Sequence, residues 1–135
     1  EHSYNVSVEV EKISPKLALP ALVHDSSETY LNDLSAPLKH LPEMEPYRVI
    51  ERIHEKVIMS AFGISILPSQ EPIIKSVDER MYYTEVRDIM PQHKEWEEWY
   101  PESANPFDFS AQCWSPQVAE QMFLDRFAYL TSIRK

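Results

Sequence analysis

Glycine, cysteine and positive charge are all scarce in this sequence of 135 residues. Gly63 is its only glycine, which excludes the glycine-rich phosphate loops of the GxGxxG and GxxxxGK[ST] types because each needs at least two. A bound phosphate must therefore be held by metal ions, side chains or helix N-termini. Cys113 is the only cysteine; it forbids an internal disulfide and is typical of a reducing compartment.

The charge balance and the absence of long apolar runs limit the partners. Acidic side chains number 22 against 13 Lys and Arg, for a net charge of -9, and so acidic a chain lacks the cations that bind an extended nucleic acid. A small anionic substrate is still compatible, because a bound divalent metal can dominate the local field. No apolar run approaches the roughly 20 residues of a membrane span, and the N-terminus has no signal-peptide pattern. We expect a cytoplasmic protein that binds neither membranes nor nucleic-acid polymers.

Helical periodicity dominates the second half of the chain. Apolar residues recur at helical spacing in three long stretches: 46–62, 70–90 and 115–133. Gly63 follows the first stretch, where a C-cap belongs, and Pro91 ends the second. Ser115 and Pro116 begin the third as a cap followed by proline at the first helical position. Each stretch is therefore predicted to be an amphipathic helix.

The first thirty residues are also read as helical. Residues 2–12 place Tyr4, Val8 and Val10 near one side of a helix, although so many valines also suit a strand. A second helix is predicted from Ser14, with a kink or break at Pro20. No alternating pattern of strand length and no internal repeat occurs. The sequence predicts an all-α, single-domain protein.

Four residues form a possible metal-binding set: His2, His24, Asp25 and Asp78. Imidazole and carboxylate ligands together suit divalent ions such as Zn, Mn, Co or Mg. Consecutive residues are about 100° apart on a helix, so His24 and Asp25 can hold one ion only at a helix end or kink. Taken alone, the dipeptide is weak evidence, since a lone histidine is more often an ordinary surface or core residue.

Charged residues follow the His24–Asp25 pair at short intervals. Glu28 comes four residues after His24, and Asp33 and Lys39 follow. A water that attacks phosphorus needs a carboxylate to orient or deprotonate it, and the leaving oxygen needs a cation or an acid. Glu28 or Asp33 meets the first need and Lys39 the second. By spacing alone, a solvated helix end with local ion pairs is the more frequent outcome.

Several segments resemble the HD-domain phosphohydrolases: EHSYNVSV, ALVHDSSETYLNDLSAPLK, VDERMYYTEVRDIMP and WSPQVAEQMFLDRF. The greatest similarity is to the small 5′-deoxyribonucleotidase-like branch of bacteria, prophages and phages, which includes phage dATP triphosphohydrolases. The resemblance covers nearly the whole chain and keeps the order H…HD…D. It implies an HD-type helical bundle over residues 1–135, with a divalent metal bound by the four residues of the set above.

The resemblance also implies roles for the charged residues and an activity. Glu28 and Asp33 match carboxylates that are catalytic in the nucleotidase branch, and Lys39 matches a basic residue that contacts phosphate. The implied activity is metal-dependent hydrolysis of a deoxyribonucleotide, either a dNTP triphosphohydrolase, notably for dATP, or a dNMP 5′-nucleotidase. Relatives assemble as dimers or larger rings, so a dimer or hexamer is expected. The alternatives are a non-catalytic nucleotide-binding HD module and a phosphodiesterase of another substrate.

The start of the chain departs from the family pattern. In the nucleotidase branch, residues upstream of the first histidine contact phosphate and select the deoxyribose, and we expect such a segment to precede Glu1. The interval from His2 to His24 is also short for two antiparallel helices that must bring both histidines together. We therefore expect a missing segment near Val10 and Glu11; a true deletion there would argue against His2 as a ligand.

Other charged and aromatic residues are secondary candidates. Glu85 lies seven residues after Asp78, on the same helical face, and is predicted to line the cleft and contact substrate; structural pairing with nearby charges is the alternative. Five aromatic side chains are candidates to stack on a base: Trp96, Trp99, Tyr100, Phe107 and Phe109. An aromatic, proline-rich loop more often closes a core or forms an oligomer contact. The remaining histidines are predicted to be ordinary surface residues: His40, His54 and His93.

Overall fold

The computed structural model describes residues 1–91 and 104–134. Within these ranges the chain forms seven α-helices and two short 3-10 helices, and no strand. The α-helices are α1 (His2–Ile13), α2 (Ala18–Leu22), α3 (Glu28–Leu31), α4 (Ala36–Lys39), α5 (Glu45–Ala61), α6 (Glu71–Ile89) and α7 (Pro116–Ser132). The 3-10 helices, Pro15–Leu17 and Pro42–Met44, precede α2 and α5. The prediction of an all-α, single-domain protein is confirmed.

The chain reverses direction within a few residues after α1. The N–H of Ser14 donates to the carbonyl of Val10 at 2.8 Å, and the N–H of Leu17 donates to the carbonyl of Ser14 at 2.9 Å. The three residues of this 3-10 turn join α1 to α2, which packs back against α1 and brings the ring centres of His2 and His24 to 5.6 Å. The premise that the His2–His24 interval is too short is wrong. Helix α1 runs unbroken through Val10 and Glu11.

Pro20 lies inside α2 without kinking it. It is the third residue of the helix, in the first turn, where its missing N–H would have no helical partner. The break predicted at Pro20 falls earlier instead, where the 3-10 turn meets Ala18. Helix α2 ends after five residues, so His24 and Asp25 lie in the turn that follows it. The pair therefore lies at a helix end, which is the position that the sequence requires if both residues are to hold one ion.

Two clusters of buried apolar side chains hold the helices together. The first joins α1, α2 and α6 with Val6, Val10, Leu17, Ala21, Ile74, Val77, Met81 and Phe107. The second joins α2 to α7 and the segment after α5 with Ala18, Leu19, Leu22, Val23, Ile64 and Leu130. All five residues of α2 are buried, as expected of a helix that is apolar all round. The turn that carries His24 therefore starts from a fixed position in the core.

Helix α5 forms as predicted and ends at the expected glycine. The Gly63 N–H donates to the carbonyl of Ser60, and the Ile64 N–H donates to the carbonyl of Met59. Gly63 has a φ of +61°, the left-handed conformation that glycine adopts at no steric cost. This pair of bonds is the Schellman arrangement, and Ile64 enters the second core cluster beyond it.

The apolar side of α5 does not face the core. Val49, Ile50, Ile53 and Val57 are 41% to 61% exposed, and no residue of α5 is fully buried. This contradicts the usual expectation that such a stripe packs inward. The reason is that the opposite, more polar side of the helix is engaged with the α3–α4 segment: Tyr47 donates to the carbonyl of Asn32, and Arg48 donates to the carbonyls of Lys39 and Leu41.

Helix α6 binds the segment that follows it. The Phe107 N–H donates to the buried hydroxyl of Thr84 at 2.9 Å. Phe107 is itself buried in the first core cluster, with the Arg80 guanidinium 4.0 Å from its ring centre, and Phe109 stacks on it. The core-closing alternative is thus confirmed for Phe107 and base stacking by this ring is excluded. The other candidates in this region lie outside the described residues: His93, Trp96, Trp99 and Tyr100.

Helix α7 begins at the predicted cap. The Ser115 hydroxyl accepts from the N–H of Val118, and Pro116 is the first helical residue. Arg126 on this helix bonds to α1: its Nε donates to the Ser7 hydroxyl at 3.1 Å, and one Nη lies 2.9 Å from the Glu11 carboxylate. No helix in the described part of the chain is both long enough and apolar enough to cross a membrane.

Candidate metal centre

Three of the four predicted ligands converge from separate elements. His2 lies in the first turn of α1, His24 in the turn after α2, and Asp78 in the middle of α6. One ligand atom from each lies within 4.8 Å of the other two. The Nε2 of His2 is 2.9 Å from Oδ1 of Asp78, and the Nε2 of His24 is 3.5 Å from the same oxygen. Both imidazoles therefore point the same nitrogen at one carboxylate oxygen.

Asp25 completes the set. Its Oδ2 lies 3.1 Å from the Nε2 of His24 and 3.9 Å from the Nε2 of His2. The structure thus brings together all four residues that the sequence predicts as ligands. Two imidazole nitrogens and two carboxylates are a donor set that suits divalent first-row metals, including zinc.

The tautomer of His24 is set by its backbone contact. Its Nδ1 lies 2.8 Å from the carbonyl oxygen of Ala21, and a carbonyl only accepts, so Nδ1 carries the proton. The neutral ring then has its lone pair on Nε2. That atom is buried and has no hydrogen-bond partner within the described part of the chain; the Asp25 and Asp78 oxygens are close but not in a hydrogen-bonding direction. A buried, unpartnered lone pair among carboxylates is what a bound cation would satisfy.

His2 contacts a carboxylate at each ring nitrogen. Its Nδ1 lies 2.9 Å from Oε2 of Glu85, opposite the Asp78 contact at Nε2. A neutral imidazole has one N–H. In one of these two contacts the nitrogen would therefore face the carboxylate with its lone pair, and the two would repel each other. Only a second proton or a cation at Nε2 removes that repulsion. Burial opposes the charged ring, but the hydrogen bonds to Asp78 and Glu85 prevail and raise the pKa of His2 to about 10.

The pKa values of the two carboxylates in the cluster are shifted in opposite directions. Burial acts to raise the pKa of Asp78, but its hydrogen bond to His2 and the charges of the adjacent His2 and His24 rings hold that pKa well below the usual range. Burial raises the pKa of Asp25, and the two histidines offset only part of this effect. Asp78 is therefore the constant anion of the cluster. The cluster fits a divalent ion by its donor types, its converging atoms and the orphaned Nε2 of His24.

Glu28 lies beside the cluster at the start of α3. Its N–H donates to the carbonyl of Asp25 at 3.0 Å, which fixes the turn between the two carboxylates. Burial, reinforced by the negative charges of Asp25 and Asp33, raises the pKa of Glu28 to about 7. Lys39 lies 3.9 Å away and opposes that rise. A carboxyl with a pKa near neutrality is suited to take and return a proton.

Lys39 and Asp33 differ in how firmly they are held. The Nζ of Lys39 donates to Oε1 of Glu51 at 2.8 Å, a partner on α5 that the sequence did not reveal because Glu51 resembles any other charge on an amphipathic helix. Asp33 is exposed and acts on Glu28 through its charge. Lys39, predicted to contact phosphate, is therefore placed between two carboxylates, with its amine still partly accessible.

Glu85 does not line the cleft as predicted. Its carboxylate bonds to Nδ1 of His2, on the edge of the ring away from Asp78. This contact orients His2 and is the structural pairing that the sequence left as the alternative; contact of Glu85 with a substrate stays a prediction. The spacing of seven residues from Asp78 correctly places Glu85 on the same side of α6, but spacing does not show that His2 occupies the space between them.

The two histidines outside the cluster that the structure describes are peripheral, as predicted. His40 is exposed. His54 is partly exposed, and its Nδ1 donates to the carbonyl of Ile50, one turn earlier on α5. Neither approaches the metal cluster.

A cleft of about 760 Å³ opens beside the cluster. His24, Asp25 and Asp78 form one part of its lining, and α5 and α6 supply the rest. Basic residues from these two helices also line it: Arg52, Lys56 and Lys75. The cleft is large enough for a small organic ligand and exposes that ligand to the cluster.

Comparison with known proteins gives one informative relative. No family model matches the chain, and no solved structure matches it. YfdR of Escherichia coli strain K12, an uncharacterized protein, is 30% identical over 139 residues, an alignment that covers 99% of this chain and 75% of YfdR. The chain therefore belongs to the same protein family as YfdR.

Proposed function

We propose that this protein is a divalent-metal-dependent phosphohydrolase of the HD type that acts on deoxyribonucleotides, as a dNTP triphosphohydrolase or a dNMP 5′-nucleotidase. The observation that carries the proposal is the convergence of His2, His24 and Asp78, with Asp25 beside them, around the orphaned Nε2 of His24. The order of these residues and the sequence around them, which resemble the HD phosphohydrolases, support the choice of reaction.

The four residues hold the ion, and their neighbours handle protons. When bound, a divalent cation polarises phosphoryl oxygens and lowers the pKa of water. Glu28, with a pKa of about 7, takes a proton from the water that attacks phosphorus. Lys39, 3.9 Å from Glu28, keeps part of the Glu28 population ionised. Asp33 orients the same water from the exposed side of the segment.

The substrate assay decides between this function and its alternatives. The purified protein is incubated with dNMPs, dNTPs and ribonucleotides in Mn, Co, Zn or Mg, and release of phosphate is scored against release of tripolyphosphate. We expect turnover of a deoxyribonucleotide that stops when a chelator removes the metal. Metal binding without turnover of any nucleotide would instead favour the non-catalytic module. Turnover of a cyclic nucleotide or another diester would favour the phosphodiesterase.

The protein is also proposed to act as a cytoplasmic homo-oligomer. The exposed side of α5 carries an apolar residue every four positions: Val49, Ile53 and Val57. A two-fold axis at Ile53 would therefore pack Val49 of one copy against Val57 of the other. Three acidic and three basic side chains make α5 neutral in a chain of net charge -9, which limits the repulsion between two copies along this helix. The single Cys113 is a free thiol, as the cytoplasm favours.

Light scattering tests the oligomer. We expect the wild-type chain to be a dimer or a multiple of one, and Ile53→Glu to reduce it to a monomer by placing a charge at the centre of the contact. Ile13→Glu is the matched control, because Ile13 is 60% exposed on α1 and outside the contact. A monomeric wild type, or dissociation by both variants, would contradict this contact.

A further inference from the structure

We propose that Lys56 and Lys75 bind the phosphate chain of the substrate, so that the cleft takes a nucleoside triphosphate in preference to a monophosphate. This inference rests on the proposed function, because it assigns the open end of the same cleft. It concerns side chains that neither the sequence pattern nor the relative assigns to the site.

Lys75 lies one helical turn from the metal cluster. It precedes Asp78 by three residues on α6, so the two side chains share one side of the helix with about 5–6 Å between their Cβ atoms. Both residues line the cleft. The Lys75 amine is therefore close to the cluster but beyond the ligands themselves, where a second phosphate of a chain would lie.

Helix α5 contributes the other cations. Arg52 and Lys56 are four residues apart, share one side of α5 and line the same cleft. Arg52 is already paired with Glu45 at 3.1 Å. Lys56 and Lys75 have no ion pair among the residues that the structure describes. These two amines are thus available to a ligand, and they approach the cleft from different helices.

Two groups of acidic residues line the cleft together with these cations. Asp25 and Asp78 belong to the cluster, where a divalent ion would balance their charge, and Glu55 and Glu71 line the rest, against Arg52, Lys56 and Lys75. Only 13 Lys and Arg occur in the whole chain, and three of them line this cleft. A concentration of cations in so acidic a chain indicates an anionic ligand.

The distribution of the cations favours a chain of phosphates. A single phosphate bound at the cluster leaves the amine on α5 without a partner. A triphosphate extends from the cluster past Lys75 toward Lys56 and pairs with both. Lysine is a common phosphate ligand, and charge-assisted bonds of this kind are the strong ones.

Calorimetry with inorganic tripolyphosphate and orthophosphate tests the inference. Each titration uses the full chain, with and without saturating Mn²⁺, for the wild type, Lys56→Gln and Lys75→Gln. We expect each substitution to weaken tripolyphosphate binding about tenfold, the scale of one charge-assisted contact. Orthophosphate affinity should change less than about twofold for Lys56→Gln, and Mn²⁺ affinity should be unchanged in both variants. Lys12→Gln, an equal charge change at an exposed lysine of α1, is the control.

The possible results separate this inference from the proposed function. Equal tripolyphosphate affinity in the wild type and both cleft variants, or an equal loss in Lys12→Gln, overturns the role of the lysines. Wild-type protein that binds orthophosphate as tightly as tripolyphosphate overturns the preference for a chain. Failure of the wild type to bind Mn²⁺ counts against the proposed function alone, because the metal-free titrations still measure the contribution of each lysine.

Discussion

His2 and Asp78 lie with Nε2 and Oδ1 2.9 Å apart, although 76 positions separate them in the sequence. The contact forms because α1 and α6 pack together through the first core cluster, with Val6 and Val10 against Val77 and Met81. The apolar faces of two helices thus place the two polar side chains. Few substitutions outside the cluster and this core should therefore change the geometry of the cluster.

Loss of any cluster ligand should abolish metal binding. We expect His24→Ala and Asp78→Ala each to lower Mn²⁺ affinity by at least about 100-fold and to stop turnover, because each removes a direct ligand. The measurement is a metal titration followed by a turnover assay. His40→Ala and Asp108→Ala remove exposed residues of the same types and should behave as the wild type. Full metal affinity in Asp78→Ala would contradict the site.

Metal binding should release a proton. The pKa of His2 is raised to about 10 from its ordinary 6.5, so the metal-free protein is protonated at this ring at pH 8. An ion that takes Nε2 must displace that proton. Metal affinity should therefore rise with pH and level off above about pH 10. Calorimetry at pH 8 in two buffers of different ionisation enthalpy measures the release, and a value of zero would contradict His2 as a ligand.

Glu85 should determine metal affinity without touching the metal. Glu85→Ala removes the carboxylate that holds Nδ1 of His2, and loss of such a partner typically lowers metal affinity 10- to 100-fold. Glu79→Ala is the control, an exposed glutamate on the same helix. If Glu85→Ala instead weakens nucleotide binding and leaves metal affinity intact, the role predicted from the sequence is the correct one.

Glu28 should control the rate and its pH dependence. We expect Glu28→Gln to keep the metal and lower the rate by about 10²- to 10⁴-fold, the usual contribution of a general base. The wild-type rate should rise with pH as Glu28 loses its proton, with a midpoint at or below its pKa of about 7, since a bound cation favours the carboxylate.

The pH profile of the variant completes the Glu28 test. The acid limb should disappear in Glu28→Gln, because the amide does not titrate. Glu43→Gln, at an exposed position, should keep both the rate and the limb. If the rate of Glu28→Gln still rises with pH as in the wild type, another group is the general base, and Asp33 is the nearest candidate.

The fold class was predictable because its signals are local, and the grouping of His2, His24, Asp25 and Asp78 was predictable from the resemblance; their role as ligands stays a prediction. Helical spacing, the glycine after α5 and the Ser115 cap need no tertiary information, and the HD pair carries its own sequence context. The role of Glu85 was not predictable, since the same side of α6 serves the cleft or His2 depending on where α1 packs.

The exposed side of α5 and the cationic cleft were not predictable for a related reason. The apolar stripe of α5 has the pattern of a core helix, but the bonds from Tyr47 and Arg48 to the α3–α4 segment turn it outward. That same rotation directs Arg52 and Lys56 to the cleft. Periodicity identifies the two sides of a helix but not which side finds a partner.

Arg126 should be the largest single contributor to stability outside the apolar core. Its side chain is 9% exposed and pairs with Glu11 at 2.9 Å, while its Nε and a second Nη donate to the hydroxyl and the carbonyl of Ser7. Arg126→Ala removes the bonds to Ser7 and leaves the partly buried Glu11 carboxylate without its cation, and removal of one member of a buried pair typically costs about 3 kcal/mol. Urea denaturation of the metal-free protein measures this loss of unfolding free energy.

A surface ion pair on α1, the helix that Arg126 contacts, provides the control for Arg126. Lys12→Ala breaks the contact with Glu9, and an exposed pair of this kind contributes about 0.5 kcal/mol or less. Arg126→Lys should fall between the two, because lysine keeps the charge but cannot span Ser7 and Glu11 together. If Arg126→Ala is as stable as Lys12→Ala, α7 does not hold α1 through this side chain.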